Sequence, residues 1–471
     1  MSAPRLTRTA PAPLVGQVHL GPGAFFRAFN AVYTEDAMAA EGGDWGIVAV
    51  SLRSDTARDQ MTPQAGAYTS VTLGTARATR VIGAVTQVLV APEDPEAVLC
   101  AMTDPGVRVV SLTITEKGYC IDATTGGLNA AHPDIVHDLA NPDTPHSAIG
   151  FLVAALGRRR ASRTAPFTVL SCDNLPSNGG LTRAVVLDFA RALDPELATW
   201  IDAQVPFPAT MVDRITPATT DDDVADLAET AGYFDPACVV HEAFRQWVIE
   251  DDFVDGRPAW EAAGAQLVNS VEAHELMKLR CLNGTHSTLA YLGYLAGYET
   301  ISDTVACPDF ARLCEIMWRD EIIPTVPPPE GEDLTVYCTR LMQRYRDPAI
   351  RHRTWQIAMD GSQKLPQRLL GTIADTLATG RVSHGLCLAV AGWMRYVGGV
   401  DEAGQPIDVR DPMAEQLKAA ATVGDLLALK EIFPPDLARH GGFREAVAEA
   451  YAALERDGTR ATVRAFVQAR G

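Results

Sequence analysis

Residues 17–40 read QVHLGPGAFFRAFNAVYTEDAMAA, and this stretch decides the fold of the N-terminal part of the chain. An apolar run ends at Leu20, a glycine turn follows, and a helix-permissive segment begins at Ala24. Strand, turn and helix in this order are typical of a nucleotide-binding fold, whose helix N-terminus receives a pyrophosphate. Gly21 and Gly23 form a G-x-G pair, but the third glycine of the dinucleotide fingerprint is absent. An ordinary tight turn therefore remains the alternative interpretation.

Further β-rich runs alternate with helix-like or loop segments, which predicts a mainly parallel, doubly wound sheet. These runs cover residues 46–52, 80–90, 107–115 and 168–173, and residues 147–160 look helical. Three prolines at positions 4, 11 and 13 predict that the first fourteen residues form a loose arm.

The character of the chain changes near Val271, where a long helix-permissive segment begins. Residues 310–319, 414–421 and 443–454 also have a helical pattern. We therefore expect an α/β fold with an N-terminal Rossmann-type doubly wound domain over residues 1–269. A mainly α-helical domain that carries the substrate and catalytic residues is expected over 270–471.

Composition limits the function classes. With 59 acidic and 40 basic side chains among 471 residues, the net charge of −19 disfavours nucleic acid and anionic membranes as partners. The nine cysteines are scattered without a C-x-x-C pair, which indicates reduced thiols and no metal site. No secretory signal and no long apolar run is evident. We expect a cytoplasmic protein, monomeric or a small homo-oligomer, that acts on a small molecule.

The candidate catalytic residues lie in the segment K-L-R-C-L-N-G-T-H, residues 278–286. At about 100° per residue of α-helix, Glu275, His286 and Asn283 lie roughly 60°, 80° and 140° from Lys278. Four polar side chains thus share one wedge of an otherwise apolar helix. Such a cluster is costly to bury unless it is satisfied or functional. A solvated polar face of an amphipathic helix is the alternative interpretation.

These side chains suit the oxidation of an alcohol by hydride transfer. A base removes the hydroxyl proton while neighbouring donors hold and polarise the oxygen. Lys278 is the candidate base, because burial and nearby cations lower the pKa of a lysine. Asn283 would then bond the reacting oxygen, His286 would orient a hydroxyl or the lysine, and Glu275 would pass protons to solvent.

Polar residues elsewhere add candidates. Asn174 follows a predicted strand in S-C-D-N, at the edge of the sheet where such folds bind ligands. Asp213 and Arg214 lie in an apolar run and are interpreted as an ion pair with a structural or a catalytic role. Lys364 follows a glycine turn, from which it could reach into a cleft, although an exposed lysine is the commoner case.

Together these segments resemble the long-chain polyol-specific dehydrogenases, the mannitol dehydrogenase family, which includes hexuronate reductases. The matching pieces run from about residue 19 to nearly 400: H-L-G-P-G-A-F, S-L-T-I-T-E-K-G-Y, S-C-D-N-L-P, F-P-A-T-M-V-D-R-I-T-P, F-R-Q-W-V-I-E-D, M-K-L-R-C-L-N-G-T-H-S-T-L-A-Y-L-G-Y, R-T-W-Q-I-A-M-D-G-S-Q-K and A-G-W-M-R-Y. The resemblance implies a Rossmann-type domain, a helical domain, a cleft between them, an NAD cofactor and metal-independent chemistry.

The resemblance also implies roles for single residues. Lys278 matches the catalytic base of the family, Asn174 and Asn283 match its oxyanion hole, and Glu275 matches its proton relay. The substrate-binding candidates are His286, Lys364, Asp213 and Arg353. The cofactor-binding candidates are Gly21, Gly23, Phe25, Arg27, Asp55 and Glu116. Asp55 is the first acid after the second predicted strand and favours NAD, whereas neighbouring Arg53 leaves room for the 2′-phosphate of NADP.

Within the family the sequence is most similar to the fructuronate reductase (D-mannonate oxidoreductase) branch, through T-E-K-G-Y-C, the run R-H-R-T-W-Q-I-A-M-D-G-S-Q-K-L-P-Q-R and A-G-W-M-R-Y. A uronate needs a partner for its carboxylate, and Arg351, Arg353, Lys364 and Arg368 supply cations in one short segment. The expected reaction is D-fructuronate and NADH to D-mannonate and NAD.

One departure concerns the glycine turn, which in the family continues with two histidines where this chain has Phe26 and Phe29. Three alternatives remain: a polyol dehydrogenase acting on mannitol, arabinitol or sorbitol, a non-catalytic NAD-binding sensor, and a zinc alcohol dehydrogenase. The scattered cysteines disfavour the zinc enzyme.

Overall fold

The computed structural model describes residues 3–74, 77–122 and 125–470. The chain divides into two compact units, Met1–Glu272 and Ala273–Gly471. The first is built around a parallel sheet and the second is helical, so the predicted fold class is confirmed.

The strands of the N-terminal unit form one parallel and two mixed sheets. They are β1 (Val15–Leu20), β2 (Gly46–Ser51), β3 (Tyr68–Thr72), β4 (Ala78–Ile82), β5 (Val85–Val90), β6 (Val109–Leu112), β7 (Thr168–Ser171), β8 (Thr210–Asp213), β9 (Val239–His241), β10 (Gln246–Glu250) and β11 (Gln266–Val268). The parallel sheet has the order β5-β2-β1-β6-β7, and its two small companions have the orders β11-β10-β8 and β4-β3-β9.

The five strands of the parallel sheet are largely buried, as expected when helices cover both faces. Strand β1 lies at its centre, flanked by β2 on one side and β6 on the other. Strands β2 and β5 are thus added on one side of β1, and β6 and β7 on the other. The direction of strand addition changes at the boundary between β1 and β6. Doubly wound folds bind ligands outside the carboxyl ends of the strands at such a point.

The predicted β-rich run over residues 80–90 is in fact two strands in different sheets. Strand β4 pairs with β3, whereas β5 pairs with β2. Gly83 lies between them and donates its backbone N–H to Glu35 Oε2 at 3.1 Å instead of to a strand.

The expectation of a loose N-terminal arm is wrong for residues 4–8, which are held by hydrogen bonds. Leu6 donates to Phe234 O at 2.9 Å, and Phe234 N donates to Pro4 O at 2.7 Å. Arg8 also donates to the Ala65 carbonyl at 2.8 Å. These pairs are distant in sequence, so local proline content could not reveal them.

The helices of the N-terminal unit pack on the sheets. They are α1 (Ala24–Ala28), α2 (Asn30–Glu41), α3 (Thr56–Met61), α4 (Pro95–Thr103), α5 (Thr115–Gly118), α6 (Pro133–Ala140), α7 (Ala148–Ser162), α8 (Asn178–Leu193), α9 (Pro195–Gln204) and α10 (Asp221–Ala231), with 3₁₀ turns Thr62–Gln64 and Trp260–Ala263. Helix α7 begins where Ser147 caps it, its Oγ accepting from Gly150 N at 2.9 Å.

The second unit is helical and contains π-helical turns as well as α-helices. Its α-helices are α11 (Glu272–Met277), α12 (Thr285–Leu295), α13 (Ile301–Ala306), α14 (Pro308–Ile316), α15 (Leu334–Tyr345), α16 (Thr354–Ala358), α17 (Gly361–Leu365), α18 (Gly371–Ala378), α19 (His384–Val397), α20 (Ala414–Ala419), α21 (Val423–Leu427), α22 (Pro435–Arg439), α23 (Gly441–Asp457) and α24 (Thr459–Gln468), with a 3₁₀ turn at Ile323–Thr325. The π-helical turns are Lys278–Gly284, Met317–Ile322 and Pro366–Leu370.

Helices α12 and α19 are buried on nearly every side and form the centre of this unit's core. Close packing there depends on Gly361, because a β carbon on it would lie 2.4 Å from Trp393 Nε1. Over the residues given above, none of the helices is long and apolar enough to cross a membrane.

Candidate functional site

The glycine turn after β1 has two glycines with different roles. Gly21 has a φ of +94°, and a β carbon there would lie 2.2 Å from Thr113 O, so no other residue fits. Gly23 has no atom within 4 Å of the position of a β carbon. Gly21 thus shapes the turn, and Gly23 leaves its backbone open to a ligand.

A cavity of about 910 Å³ opens beside this turn within the N-terminal unit. Its walls include the carboxyl ends of β1, β2 and β6, the point where the sheet reverses direction. Its volume is in the range of cofactor sites. Residues of these strand ends and of the segments beside them line it: Gly21, Pro22, Gly23, Ser51, Leu52, Arg53, Ser54, Thr113, Ile114 and Thr115.

Arg27 is a buried cation on the wall of this cavity. Its Nη1 donates to Pro22 O at 2.7 Å, and burial lowers its pKa. Among residues 3–74, 77–122 and 125–470, no carboxylate forms a salt bridge with it, and its Nε has no hydrogen-bond partner. A buried guanidinium next to an open glycine suits the negative charge of a pyrophosphate.

Three other predicted cofactor residues lie outside the lining of the cavity. Asp55 is exposed and lies 3.8 Å from Arg58. Phe25 stacks on Phe29 at a centroid distance of 4.9 Å, and Glu116 is exposed in α5. Arg53 does line the cavity, where its guanidinium forms an ion pair with Asp134 at 3.2 Å.

Asp173 holds the loop after β6 in place. Its carboxylate accepts from the backbone N–H groups of Ile114 and Thr115, both at 2.9 Å, and from the Tyr119 hydroxyl at 2.7 Å. Burial raises its pKa, while these hydrogen bonds lower it. Sequence reasoning missed this residue, although it lies in the S-C-D-N segment that drew attention to Asn174.

Phe26 and Phe29, the two phenylalanines after the glycine turn, are fully buried. Phe26 stacks on His19 at 3.8 Å between ring centroids, and Phe29 packs edge-on against Tyr33 at 5.1 Å. Burial lowers the pKa of His19 to about 3, so this ring is neutral. The two phenylalanines therefore contribute apolar packing next to the glycine turn.

Asn174 and Asp213 occupy the carboxyl ends of two strands of the N-terminal unit. Asn174 is exposed shortly after β7, and Asp213 is the buried last residue of β8. Arg214 next to it donates to the carbonyl oxygens of Ala28 at 2.5 Å and Glu242 at 3.2 Å.

In the second unit, Lys278 and Asn283 lie on a π-helical turn, not on the α-helix assumed from the sequence. A π-helix bonds residue i to residue i+5, so side chains five positions apart come closer to one face. The angle of about 140° between Lys278 and Asn283 holds only for an α-helix. Both side chains and that of His286 are at most 8% exposed, and Glu275 is partly buried one turn earlier.

Two side chains from distant segments and one local hydroxyl donate hydrogen bonds to carbonyl groups of this turn. Cys281 O accepts from Trp318 Nε1 at 2.9 Å and from Thr285 Oγ1 at 2.6 Å. Leu282 O accepts from the Tyr345 hydroxyl at 2.8 Å. These partners explain how the wider turn persists although α-helical bonding is locally preferred.

Arg280 and Gly284 provide further contacts that fix the turn. The Arg280 guanidinium donates to Thr325 O at 2.9 Å and to Asp375 Oδ2 at 2.6 Å. Gly284 allows another π-helical turn to approach, because a β carbon on it would lie 2.9 Å from Arg368 O.

His286 is held between two rings. It stacks on Tyr345 at 5.6 Å and lies 5.0 Å from His352, measured between centroids. Its pKa is well below the usual value, first through burial and then through the charges of His352, Arg368, Arg344 and Lys364. Its Nε2 is buried and has no hydrogen-bond partner in the described part of the chain. A neutral imidazole with an unpaired nitrogen can bond a substrate hydroxyl.

Lys364 lies in α17, where its Nζ donates to the carbonyl oxygens of Met359 at 2.5 Å and Ile357 at 3.4 Å. Burial and, next, the charge of Arg368 lower its pKa to about 8. Arg353 is different, since its side chain is 56% exposed and lies 3.7 Å from the Glu299 carboxylate.

Lys278, Asn283 and His286 are thus buried close together in sequence, and the charge of the partly buried Lys364 acts on His286. Sequence reasoning missed Tyr345, His352 and Arg344, which also act on His286. They lie more than fifty residues further along the chain, and no local pattern marks them.

Two family models match the chain. The mannitol dehydrogenase Rossmann domain matches residues 16–262, and the mannitol dehydrogenase C-terminal domain matches residues 270–455.

Individual relatives are similar over nearly the whole chain. D-mannonate oxidoreductase of Escherichia coli K12 is 48% identical over 462 residues, 95% of either chain. Mannitol 2-dehydrogenase of Phaeosphaeria nodorum is 41% identical over 95% of this chain and 80% of its own. The solved mannitol 2-dehydrogenase of Pseudomonas fluorescens, a ternary complex with NAD and D-mannitol, is 39% identical, with a TM-score of 0.87 over 99% of this chain and 98% of that one.

Proposed function

This chain belongs to the mannitol dehydrogenase family of oxidoreductases, and we propose that it reduces D-fructuronate to D-mannonate with NADH. The observation that carries the proposal is the buried group of Lys278, Asn283 and His286 around one π-helical turn. The similarity to a D-mannonate oxidoreductase supports the choice of substrate.

The residues of the N-terminal unit fit a nicotinamide dinucleotide. Gly23 leaves room for a pyrophosphate, Arg27 supplies a buried positive charge, and the cavity has the size of a cofactor site. When bound, NADH supplies the hydride that the protein's own side chains lack.

The proton transfer belongs to Lys278. During reduction its ammonium group donates a proton to the ketone oxygen, and during oxidation its neutral amine takes that proton back. The Asn283 amide donates a hydrogen bond to the same oxygen and stabilises the negative charge that develops on it. His286 holds a neighbouring hydroxyl through its unpaired nitrogen. Glu275, one turn before the lysine, exchanges its proton with solvent.

The proposal requires no metal ion, because a lysine ammonium does the polarising. Treatment with a chelator should leave the activity unchanged. Activity that is lost with the chelator and restored by zinc would contradict the proposal.

The direct test follows NADH absorbance with purified protein and D-fructuronate, D-tagaturonate or D-fructose, each repeated with NADPH. We expect the highest kcat/KM with D-fructuronate and NADH. A preference for D-fructose would support the second candidate, a polyol dehydrogenase. The mannitol 2-dehydrogenase relatives favour that candidate.

A further inference from the structure

Arg368 is a partly buried cation whose bonding differs from that of a structural arginine. It lies on the π-helical turn Pro366–Leu370, and its Nη1 donates to Ser287 Oγ at 3.0 Å. Burial lowers its pKa, and the groups that oppose this are the phenols of Tyr291 and Tyr345 rather than a carboxylate. Over the three described ranges, no acidic side chain forms a salt bridge with it.

Arg159 of the N-terminal unit shows what a structural role looks like. It is 1% exposed, and its guanidinium donates to four backbone carbonyl oxygens at 2.7 to 2.9 Å. Its donors are therefore used within the protein. Arg368 is only partly buried, and over the described residues its one hydrogen bond goes to the Ser287 hydroxyl, so most of its N–H groups remain available to a ligand.

The neighbours of Arg368 do not neutralise it. Its charge lowers the pKa of Lys364 and of His286, so it lies near both. Lys364 itself donates to two backbone carbonyl oxygens, with Asp360 and Asp411 as the acids that act on it. Arg368, next to Ser287 and near His286, therefore contributes positive charge that no acidic side chain of the described residues pairs with.

A partly desolvated charge without a counter-ion is destabilised, and an anionic ligand offsets that cost. The planar guanidinium fork matches a carboxylate, to which it can donate two parallel hydrogen bonds. A hexitol or a hexulose carries no charged group and cannot neutralise these cations, whereas a sugar acid can.

We propose that Arg368, with Lys364 beside it, binds the carboxylate of a sugar-acid substrate and determines the preference for hexuronates over neutral sugars. The inference rests on the proposed function and names the residue that selects its substrate. Arg368 bonds the side chain of Ser287, the residue next to His286 in the sequence. Arg368 could therefore hold the carboxylate of a substrate while His286 holds one of its hydroxyl groups.

The test compares kcat/KM for D-fructuronate and D-fructose in wild type and Arg368→Gln. Loss of a desolvated charge pair should lower kcat/KM for D-fructuronate about 100-fold, while the value for D-fructose changes less than about threefold. Arg439→Gln is the matched control, because Arg439 is exposed and paired with Asp436 in α22. It should change neither value.

The outcomes separate the two proposals. An equal loss with both substrates, or no loss with either, would overturn the role of Arg368 and leave the proposed function standing. Wild-type protein that reduces D-fructose but not D-fructuronate would overturn both.

A second measurement covers the case in which Arg368→Gln does not fold. Calorimetry on the wild-type protein with NAD compares the binding of D-mannonate and D-mannitol, which differ in the carboxylate. We expect D-mannonate to bind at least about 30-fold tighter, with an advantage that shrinks as salt is added. Equal binding of the two would overturn the inference.

Discussion

The hydroxyl of Tyr345 donates to the carbonyl oxygen of Leu282 over 2.8 Å, and its ring stacks on His286. One side chain thus supports both the π-helical turn and the imidazole that follows it. Tyr345→Phe should lower the free energy of unfolding by about 1–2 kcal/mol, because a buried carbonyl loses its partner. It should also lower kcat about tenfold with little effect on NADH affinity. Denaturant unfolding and steady-state kinetics measure these effects.

Tyr396→Phe is the control for stability. The Tyr396 hydroxyl is buried and has no hydrogen-bond partner among the residues that the structure covers, so its removal should be neutral or stabilising. If both variants unfold at the same denaturant concentration, the bond to Leu282 does not stabilise the turn.

Lys278→Ala should lower kcat by about 10³-fold, since general acid–base catalysis contributes on this scale. The nucleotide cavity lies wholly in the N-terminal unit, so NADH should bind the variant as it binds the wild type. Fluorescence titration with NADH checks binding, and turnover of D-fructuronate checks catalysis. Near-normal turnover would remove Lys278 from the role of the base.

Gly21→Ala and Gly23→Ala form a matched pair. The first should lower stability, whereas the second should lower the affinity for NADH. Alanine at Gly21 is strained by its positive φ and meets Thr113 O, so the melting temperature should fall. Alanine at Gly23 meets nothing in the protein, so stability should stay while NADH affinity falls about tenfold. Unchanged NADH binding in Gly23→Ala would place the pyrophosphate elsewhere.

Asp55→Ala tests the choice of cofactor. If Asp55 bonds the ribose 2′-hydroxyl, its removal should narrow the kcat/KM ratio of NADH to NADPH about tenfold. Asp55 is exposed and outside the cavity lining, whereas Arg53 lies on it. Arg53→Ala is the comparison, and it should lower activity with NADPH only. If the kcat/KM ratio of NADH to NADPH is unchanged in Asp55→Ala, Asp55 does not distinguish the two cofactors, and Arg53 remains the candidate.

Stability should depend on pH through His19. Burial lowers its folded-state pKa to about 3 from 6.5, so the unfolded chain takes up a proton first as pH falls. Its contribution is constant above pH 6.5 and is lost as pH falls toward 3. Between pH 7 and pH 5 the wild type should therefore lose about 2 kcal/mol more stability than His19→Gln. Parallel profiles for the two proteins would show that folding does not lower the pKa of His19.

Local sequence patterns were sufficient for the parts of the fold that are locally determined. The apolar run, the glycine turn and the helix at Ala24 follow from neighbouring residues, and the structure places them as β1, the turn at Gly21 and α1. The helical second unit follows in the same way. Where Gly83 separates two strands of different sheets, the continuous apolar pattern predicted one run, because partner choice is not encoded locally.

The candidate site was less accessible to sequence reasoning. The polar residues on one helix drew attention to Lys278 and Asn283, but the helix type depends on Trp318 and Tyr345, which come from other elements. Similarly, Arg53 and Asp55 are both exposed and two residues apart, yet only Arg53 lines the cavity.

The π-helical turn also sets a limit on how this protein can change during evolution or engineering. Deletion of one residue between Lys278 and Asn283 would restore ordinary α-helical winding, and the segment itself would be more stable for it. The same deletion would rotate Asn283 and His286 around the helix axis relative to the lysine. Selection for thermal stability alone would therefore favour shortened, inactive descendants, and only selection for turnover keeps the extra residue.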